Sequence, residues 1–207
     1  MVETKALERS KALDLHLLAR YISIITTPAI VGSLMLFDTL HRFSPSTEIF
    51  LETLAIVFFF SIFLPVFFTL YLLKKERIGN FHIQERRERT VPFSFALVSS
   101  TGSLLAIKYL GASPEMTKML LIFYLMSLGF VAITSWRYKI SGHMFIFCSS
   151  IFLLISFVDM RYVYLLPLAV PIAWSRVYLR EHTSGEILGA IGYSIISFFT
   201  FMLLINN

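Results

Sequence analysis

The chain of 207 residues is 57% hydrophobic and 15% charged, with a formal net charge of +5 and a mean hydropathy of +0.75. Soluble domains hold about 45–50% apolar and about 25% charged residues. This composition therefore excludes a water-soluble globule and points to an integral membrane protein, one compact bundle over 1–207 rather than several domains.

At the start, Met1 to Leu18 mixes Glu3, Glu8 and Asp14 with Lys5, Arg9 and Lys11. It lacks the basic start, short apolar stretch and small-residue cleavage site of a signal peptide. Residues 1–18 read as an interfacial helix with Leu7, Leu13 and Leu17 turned to lipid. A helical span needs about 20 apolar residues. Spans are expected near 19–38, 49–73, 92–111, 116–136, 144–159, 162–179 and 185–205. All are helices, because lipid offers a backbone no partners. The expected fold is all-α: a polytopic bundle of six to seven transmembrane helices, a multi-pass protein of a prokaryotic cell membrane. The fifth and sixth spans are short and separated only by Asp159, Met160 and Arg161, and Pro167 and Pro171 bend the sixth. Cys148, the single cysteine, sits in an apolar run as a packing residue and excludes an internal disulfide.

The connecting segments differ in content. Segments 39–48, 112–115 and 160–161 are short, whereas 74–91, 137–143 and 176–184 hold nearly all the remaining polarity. Two spans separate each successive pair of the second set, so all three fall on one membrane face, together with Lys5, Arg9, Lys11 and Arg20. The positive-inside rule makes that face cytoplasmic, although an anion site would gather arginines there too. Basic residues confined to short loops argue against nucleic acid as a partner. No glycine-rich phosphate loop and no Cys/His metal spacing is present, so neither cofactor nor metal is expected.

Three stretches carry candidate chemistry. In "SRVYLREHTSGE", residues 175–186, His182 and Glu186 stand four apart and share a helix face. A carboxylate holding one ring nitrogen leaves the other as a nucleophilic lone pair. Arg176 presents a planar fork suited to phosphate oxygens. Thr183 and Glu186 equally fit a T-x-x-E capping box that starts the last helix. In "RYKISGHMF", residues 137–145, Ser141, Gly142 and His143 precede the fifth span. Amides at a helix start attract anions, glycine permits close approach, and His143 can protonate a leaving oxygen; Lys139 adds charge. Alone, this stretch also fits an ordinary serine N-cap beside an interfacial histidine. In "KKERIGNFHIQERRERTVPF", residues 74–93, most of the charge suits a solvated face, with Arg86, Arg87 or Arg89 in reach of an anion. Phosphoryl transfer needs little beyond in-line positioning and neutralised oxygens, which arginines, a lysine and amides can supply.

These residues resemble the type 2 phosphatidic acid phosphatases, whose motifs are K-x6-R-P, P-S-G-H and S-R-x5-H-x3-D. "SRVYLREHTSGE" has the full spacing of the third, with Glu186 in place of Asp, and "ISGH" is similar to the second, with Ile140 in place of Pro. The resemblance runs in motif order from Lys74 to Glu186. The first motif departs: the nearest equivalent is "RRERTVP", and His82 stands seven residues before Arg89. By resemblance, His182 is the nucleophile, Glu186 its orienting carboxylate and His143 the general acid. Arg176, Ser141 and the Gly142 amide then hold phosphate. Lys139 is an inferred substitute for the missing lysine of the first motif. The implied partners are a lipid phosphate, its tail entering sideways between helices, and membrane lipids; no feature of the sequence defines an oligomer. A lipid phosphotransferase would use the same residues, and a non-catalytic anionic-lipid-binding or transport protein is the rival class. Transport favours charges at the membrane midplane, and few occur there.

Overall fold

A computed structural model describes the backbone of residues 2–81, 83 and 85–206 and the side chains of 13–81, 83 and 85–205. Lys5, Leu7, Arg9, Lys11 and His82 thus lie outside the described side chains. The described residues form helices joined by turns, with no strand among them. In chain order these are α1 (Val2–Ile25), α2 (Pro28–Phe43), α3 (Thr47–Phe58), a π-helical turn (Phe59–Phe63), α4 (Leu64–Lys74), α5 (Arg86–Tyr109), α6 (Pro114–Trp136), α7 (Gly142–Phe157), a 3₁₀ run (Met160–Leu168), α8 (Ala169–Tyr178) and α9 (Ser184–Asn206).

Among the described residues four helices are long and apolar enough to cross a membrane: Thr47–Lys74, Arg86–Tyr109, Pro114–Trp136 and Ser184–Ile205. The first span expected near 19–38 is broken. Pro28 holds Thr27 in an extended conformation (φ −58°, ψ 147°), and Leu13–Ile25 meets Pro28–Phe43 at 42°. Taken as one bent span, this pair makes five. The expected fifth and sixth spans fall below the length required. α7 has 16 residues, and residues 162–179 divide into 3₁₀ helix around Pro167 and the ten residues of α8.

Burial accounts for α7. It is apolar on all sides and packs against α2, α6, α8, α9 and the 3₁₀ run. A helix surrounded by protein need not match the bilayer thickness. Phe145 of α7 stacks on Phe130 of α6 with centroids 4.3 Å apart. Hydroxyls tie the remaining helices where hydrophobic attraction between them is weak: Ser61 to Ser103 at 2.8 Å, Thr101 to Tyr124 at 2.9 Å, and Tyr193 Oη to the Met126 carbonyl at 2.6 Å. The π-helical turn frees the Phe60 carbonyl, and Ser99 of α5 donates to it. Gly102 allows that approach, since a Cβ there would lie 2.8 Å from the Phe60 ring.

The three polar segments meet at one end of the bundle. Arg86 Nη1 donates to the carbonyls of Trp136 (3.3 Å) and Arg137 (3.0 Å). Arg89 Nη1 reaches the Ile140 carbonyl at 3.1 Å, Lys139 Nζ the Glu181 carbonyl at 3.0 Å, and the Ser141 amide the Glu186 carbonyl at 3.3 Å. At the other end, Tyr162 of the 3₁₀ run donates through Oη to Asp38 of α2 at 2.7 Å.

Candidate active site

The turn after α8 sets the geometry. Arg180 takes a left-handed conformation (φ 56°), its amide donates to the Val177 carbonyl, and the Glu181 amide to the Arg176 carbonyl. This is a Schellman closure, with an arginine where glycine is usual. The His182 amide also returns to the Arg176 carbonyl, at 3.2 Å. The chain doubles back, which is why residues six apart, Arg176 and His182, reach one cavity.

Helix α9 then begins with the capping box. Glu186 N donates to Thr183 Oγ1 at 3.2 Å, and Thr183 N to Glu186 Oε2 at 3.3 Å. The same Oε2 accepts from His182 Nδ1 at 2.7 Å. The capping and orienting roles that compete in the sequence are thus filled by one carboxylate. With Nδ1 donating, Nε2 is the ring's lone pair. His182 is 7% exposed, and desolvation, followed by the charges of Arg176, Arg89, Lys139 and His143, pushes its pKa well below the ordinary histidine value. The ring is therefore neutral at pH 7.

His182, His143, Arg176, Arg89 and Gly142 line one cavity of about 330 Å³. Arg176, 2% exposed, donates through Nη1 to Ser23 Oγ and through Nη2 to the Glu181 carboxylate. Its Nε is buried with no hydrogen-bond partner among the described residues. His143 Nε2 donates to the Ser23 carbonyl at 3.2 Å. Arg89, 3% exposed, uses Nε on the Ile83 carbonyl (2.9 Å) and Nη1 on Thr134 Oγ1 (3.0 Å). It both faces the cavity and fastens the 74–91 segment to the 137–143 segment.

Other expected site residues lie apart from the cavity lining. Arg86 is exposed and braces the end of α6, and Arg87 does not line the cavity. Lys139 is bound to the Glu181 carbonyl, so its charge acts on the site from behind that turn. The Ser141 side chain is fully buried, outside the lining, with no hydrogen-bond partner for its Oγ among the described residues. Two residues that sequence reasoning missed are Ser23 and Glu181. Glu181 stands next to a candidate nucleophile and five residues from Arg176, a legible signal. Ser23 carried none, because it falls inside the apolar span expected near 19–38. Among the described residues no group of three or more His, Cys, Asp or Glu side chains gathers as metal ligands do.

Among the described residues, fold and site together define an all-helical protein with four to five helices able to cross a membrane and a cavity lined at one end by two histidines and two buried arginines. The chain matches no family model, no curated protein and no solved structure with which it was compared.

Proposed function

We propose that the chain is a membrane phosphatase that hydrolyses a lipid phosphate through a phosphohistidine. One observation carries this reading: a neutral histidine, oriented by a carboxylate through Nδ1, shares a cavity with a second histidine and two buried arginines. Buried guanidinium groups are costly unless anions compensate them. Glu181 answers part of Arg176, and a phosphate at its unpartnered Nε answers the rest.

In the first step the His182 Nε2 lone pair attacks phosphorus. The P–O ester bond breaks in line, and the leaving alkoxide takes the proton of the protonated His143. Glu186 stabilises the cation on the phosphorylated ring, while Arg176, Arg89 and the Gly142 amide face the phosphoryl oxygens. In the second step water attacks, His143 accepts its proton, and the P–N bond breaks to release orthophosphate and restore His182. For topology, α7 and the 3₁₀ run with α8 complete a seven-pass path, the short pair crossing inside the bundle. Two passes between successive polar segments are what bring all three to one end.

Purified protein in detergent, supplied with phosphatidate or a polyprenyl phosphate, is expected to release orthophosphate in the presence of chelator. Brief incubation with ³²P-labelled substrate and alkaline quenching should trap an acid-labile label on the chain. Release that persists in both His182→Ala and His143→Ala would overturn the assignment.

A further inference from the structure

The candidate active site is the mouth of a longer cavity. One face of α5 lines it throughout: Arg89, Phe93, Ala96, Ser100, Ser103 and Ile107 follow in alternating steps of four and three. That spacing is a single helical stripe. From Arg89 to Ile107 it runs about 27 Å at 1.5 Å per residue. On the neighbouring helix, Leu120, Tyr124, Ser127 and Val131 of α6 repeat the same steps. Buried Leu36, Val57, Ile107 and Leu120 close the end away from the histidines. About 330 Å³ drawn out over this length is a thin channel.

The walls suit hydrocarbon. Their hydroxyls are used within the protein: Ser100 donates to the Ala96 carbonyl (2.8 Å), Ser127 to the Phe123 carbonyl (2.8 Å), and Ser61 pairs with Ser103. The side between α2 and α4 is a slot. α2 packs closely on α3, α6 and α7 and α4 on α5, but α2 and α4 are not a closely packed pair. Pro28 and Gly32 line one edge of the slot, Pro65 and Val66 the other, and nothing lies within 4 Å of a Cβ built on Gly32.

We propose that this channel holds the lipid tail and selects phosphates carried on one long chain, of the polyprenyl class, over two-chain lipids such as phosphatidate. The proposal rests on the catalytic reading for the phosphate end only. The hydrocarbon core of a bilayer is about 30 Å thick, so an ordinary acyl tail, one leaflet long, ends about halfway down the channel. Its companion chain must share the same narrow space or leave through the slot. A longer single chain fills the whole depth, and every added unit as far as Ile107 buries further apolar surface.

The test uses His182→Ala protein, which does not consume ligand. Binding of radiolabelled geranyl, geranylgeranyl and undecaprenyl phosphate and of dioleoyl phosphatidate is measured in one detergent. The same series is measured on His182→Ala/Ser100→Phe and His182→Ala/Ser127→Phe, which plug the channel midway from two different helices. Both serines bond only within their own helix, so neither change removes a link between helices. Affinity is expected to rise at least about tenfold from geranyl to undecaprenyl phosphate, with phosphatidate weaker than undecaprenyl phosphate. Either plug should lower the undecaprenyl-to-geranyl ratio by about tenfold, a comparison in which micelle partitioning cancels. Equal affinity across the series, tighter binding of phosphatidate, or a ratio unchanged by both plugs overturns the channel. If the unaltered chain hydrolyses all four lipids equally, the catalytic reading stands and the channel falls. If length-dependent binding occurs without hydrolysis, the reverse holds.

Discussion

The two ends of the bundle use the same residue types in opposite ways. At the end away from the cavity, Arg42 pairs with Asp38 at 3.3 Å and Arg161 with Asp159 at 2.6 Å, and the Arg161 side chain is 80% exposed. At the cavity end, Arg176 pairs with Glu181 and His182 with Glu186, all four side chains being largely buried. Exposed pairs are screened by water and hold little structure. Buried pairs lose much of their attraction to desolvation, so packing alone gives little reason to build them. The difference teaches where to look for function: among the charges held out of water.

The largest separation of the ends should appear in turnover. His182→Ala is expected to lower kcat by roughly 10⁴-fold or more, as removal of a covalent nucleophile does. Glu186→Gln should cost roughly a hundredfold or more, because the amide can present its NH₂ to Nδ1 and reverse the ring tautomer. Glu186→Ala also breaks the capping box and should lower stability by about 1 kcal/mol in addition. Changes at Asp159 should leave kcat where it is; a loss there would erase the contrast.

Stability separates them next. Arg176→Ala leaves the Glu181 carboxylate buried without its partner and is expected to cost about 3–5 kcal/mol of unfolding free energy in detergent. Adding Glu181→Ala should restore part of that loss, which a double-mutant cycle on urea midpoints measures. Additive effects would show that the pair does not act as a unit.

Acid sharpens the comparison further. The folded protein holds the His182 pKa below its ordinary value of 6.5. Below pH 6.5 the unfolded chain therefore binds a proton that the folded chain refuses. Stability conferred by neutral His182 is complete above that pH and is lost as pH falls toward the folded value, by at most about 1.4 kcal/mol per unit. Thermal scans from pH 7 to pH 5 should show Tm declining, with a shallower decline in His182→Asn. Parallel curves for the two proteins would contradict a neutral buried ring.

Much of this was legible in sequence. The 175–186 stretch carried its own geometry, since a four-residue spacing on a helix start brings His182 to Glu186. The three polar segments expected on one face do meet at one end, although only four to five of the described helices are long and apolar enough to cross a membrane. Other features depended on long-range packing, which local pattern does not encode. Ser23 enters the site only because α1 ends at the Pro28 break, and Arg86 leaves it because the α6 carbonyls capture its fork. α7 falls short of the usual span length because its surroundings are protein, which its apolar run alone does not show. Lys139 beside the expected motif and Ser141 within it both lie outside the cavity lining, since the Glu181 carbonyl holds the Lys139 ammonium and the Ser141 side chain is fully buried.

Gly142 gives a finer test at the cavity end. A Cβ there would meet Phe130 Cζ at 3.7 Å and Pro28 Cγ at 4.0 Å, ordinary contacts, so packing does not require glycine. Gly142→Ala should keep its stability within about 0.5 kcal/mol. A phosphate seated against the amide would nonetheless feel the methyl group, and kcat/KM is expected to fall by about tenfold or more. Unchanged kcat/KM would remove the Gly142 amide from the proposed phosphate contacts.

The smallest effect belongs to the exposed end. The Arg161 guanidinium, by hydrogen bonds above all, holds the Asp159 carboxyl down at about pKa 2, which by itself suggests a strong pair. Both groups face solvent, however, where water and salt compete for every such contact. Arg161→Ala is therefore expected to leave Tm within measurement error, and raising salt should not widen any gap. The Asp159 side chain still accepts from the Arg161 amide at 2.8 Å, so Asp159→Ala, which removes this cap of the 3₁₀ run, should lower Tm more than Arg161→Ala. Should Arg161→Ala prove the more damaging, the exposed end would owe its order to charge rather than to the cap. Burial would then no longer be what distinguishes the two ends.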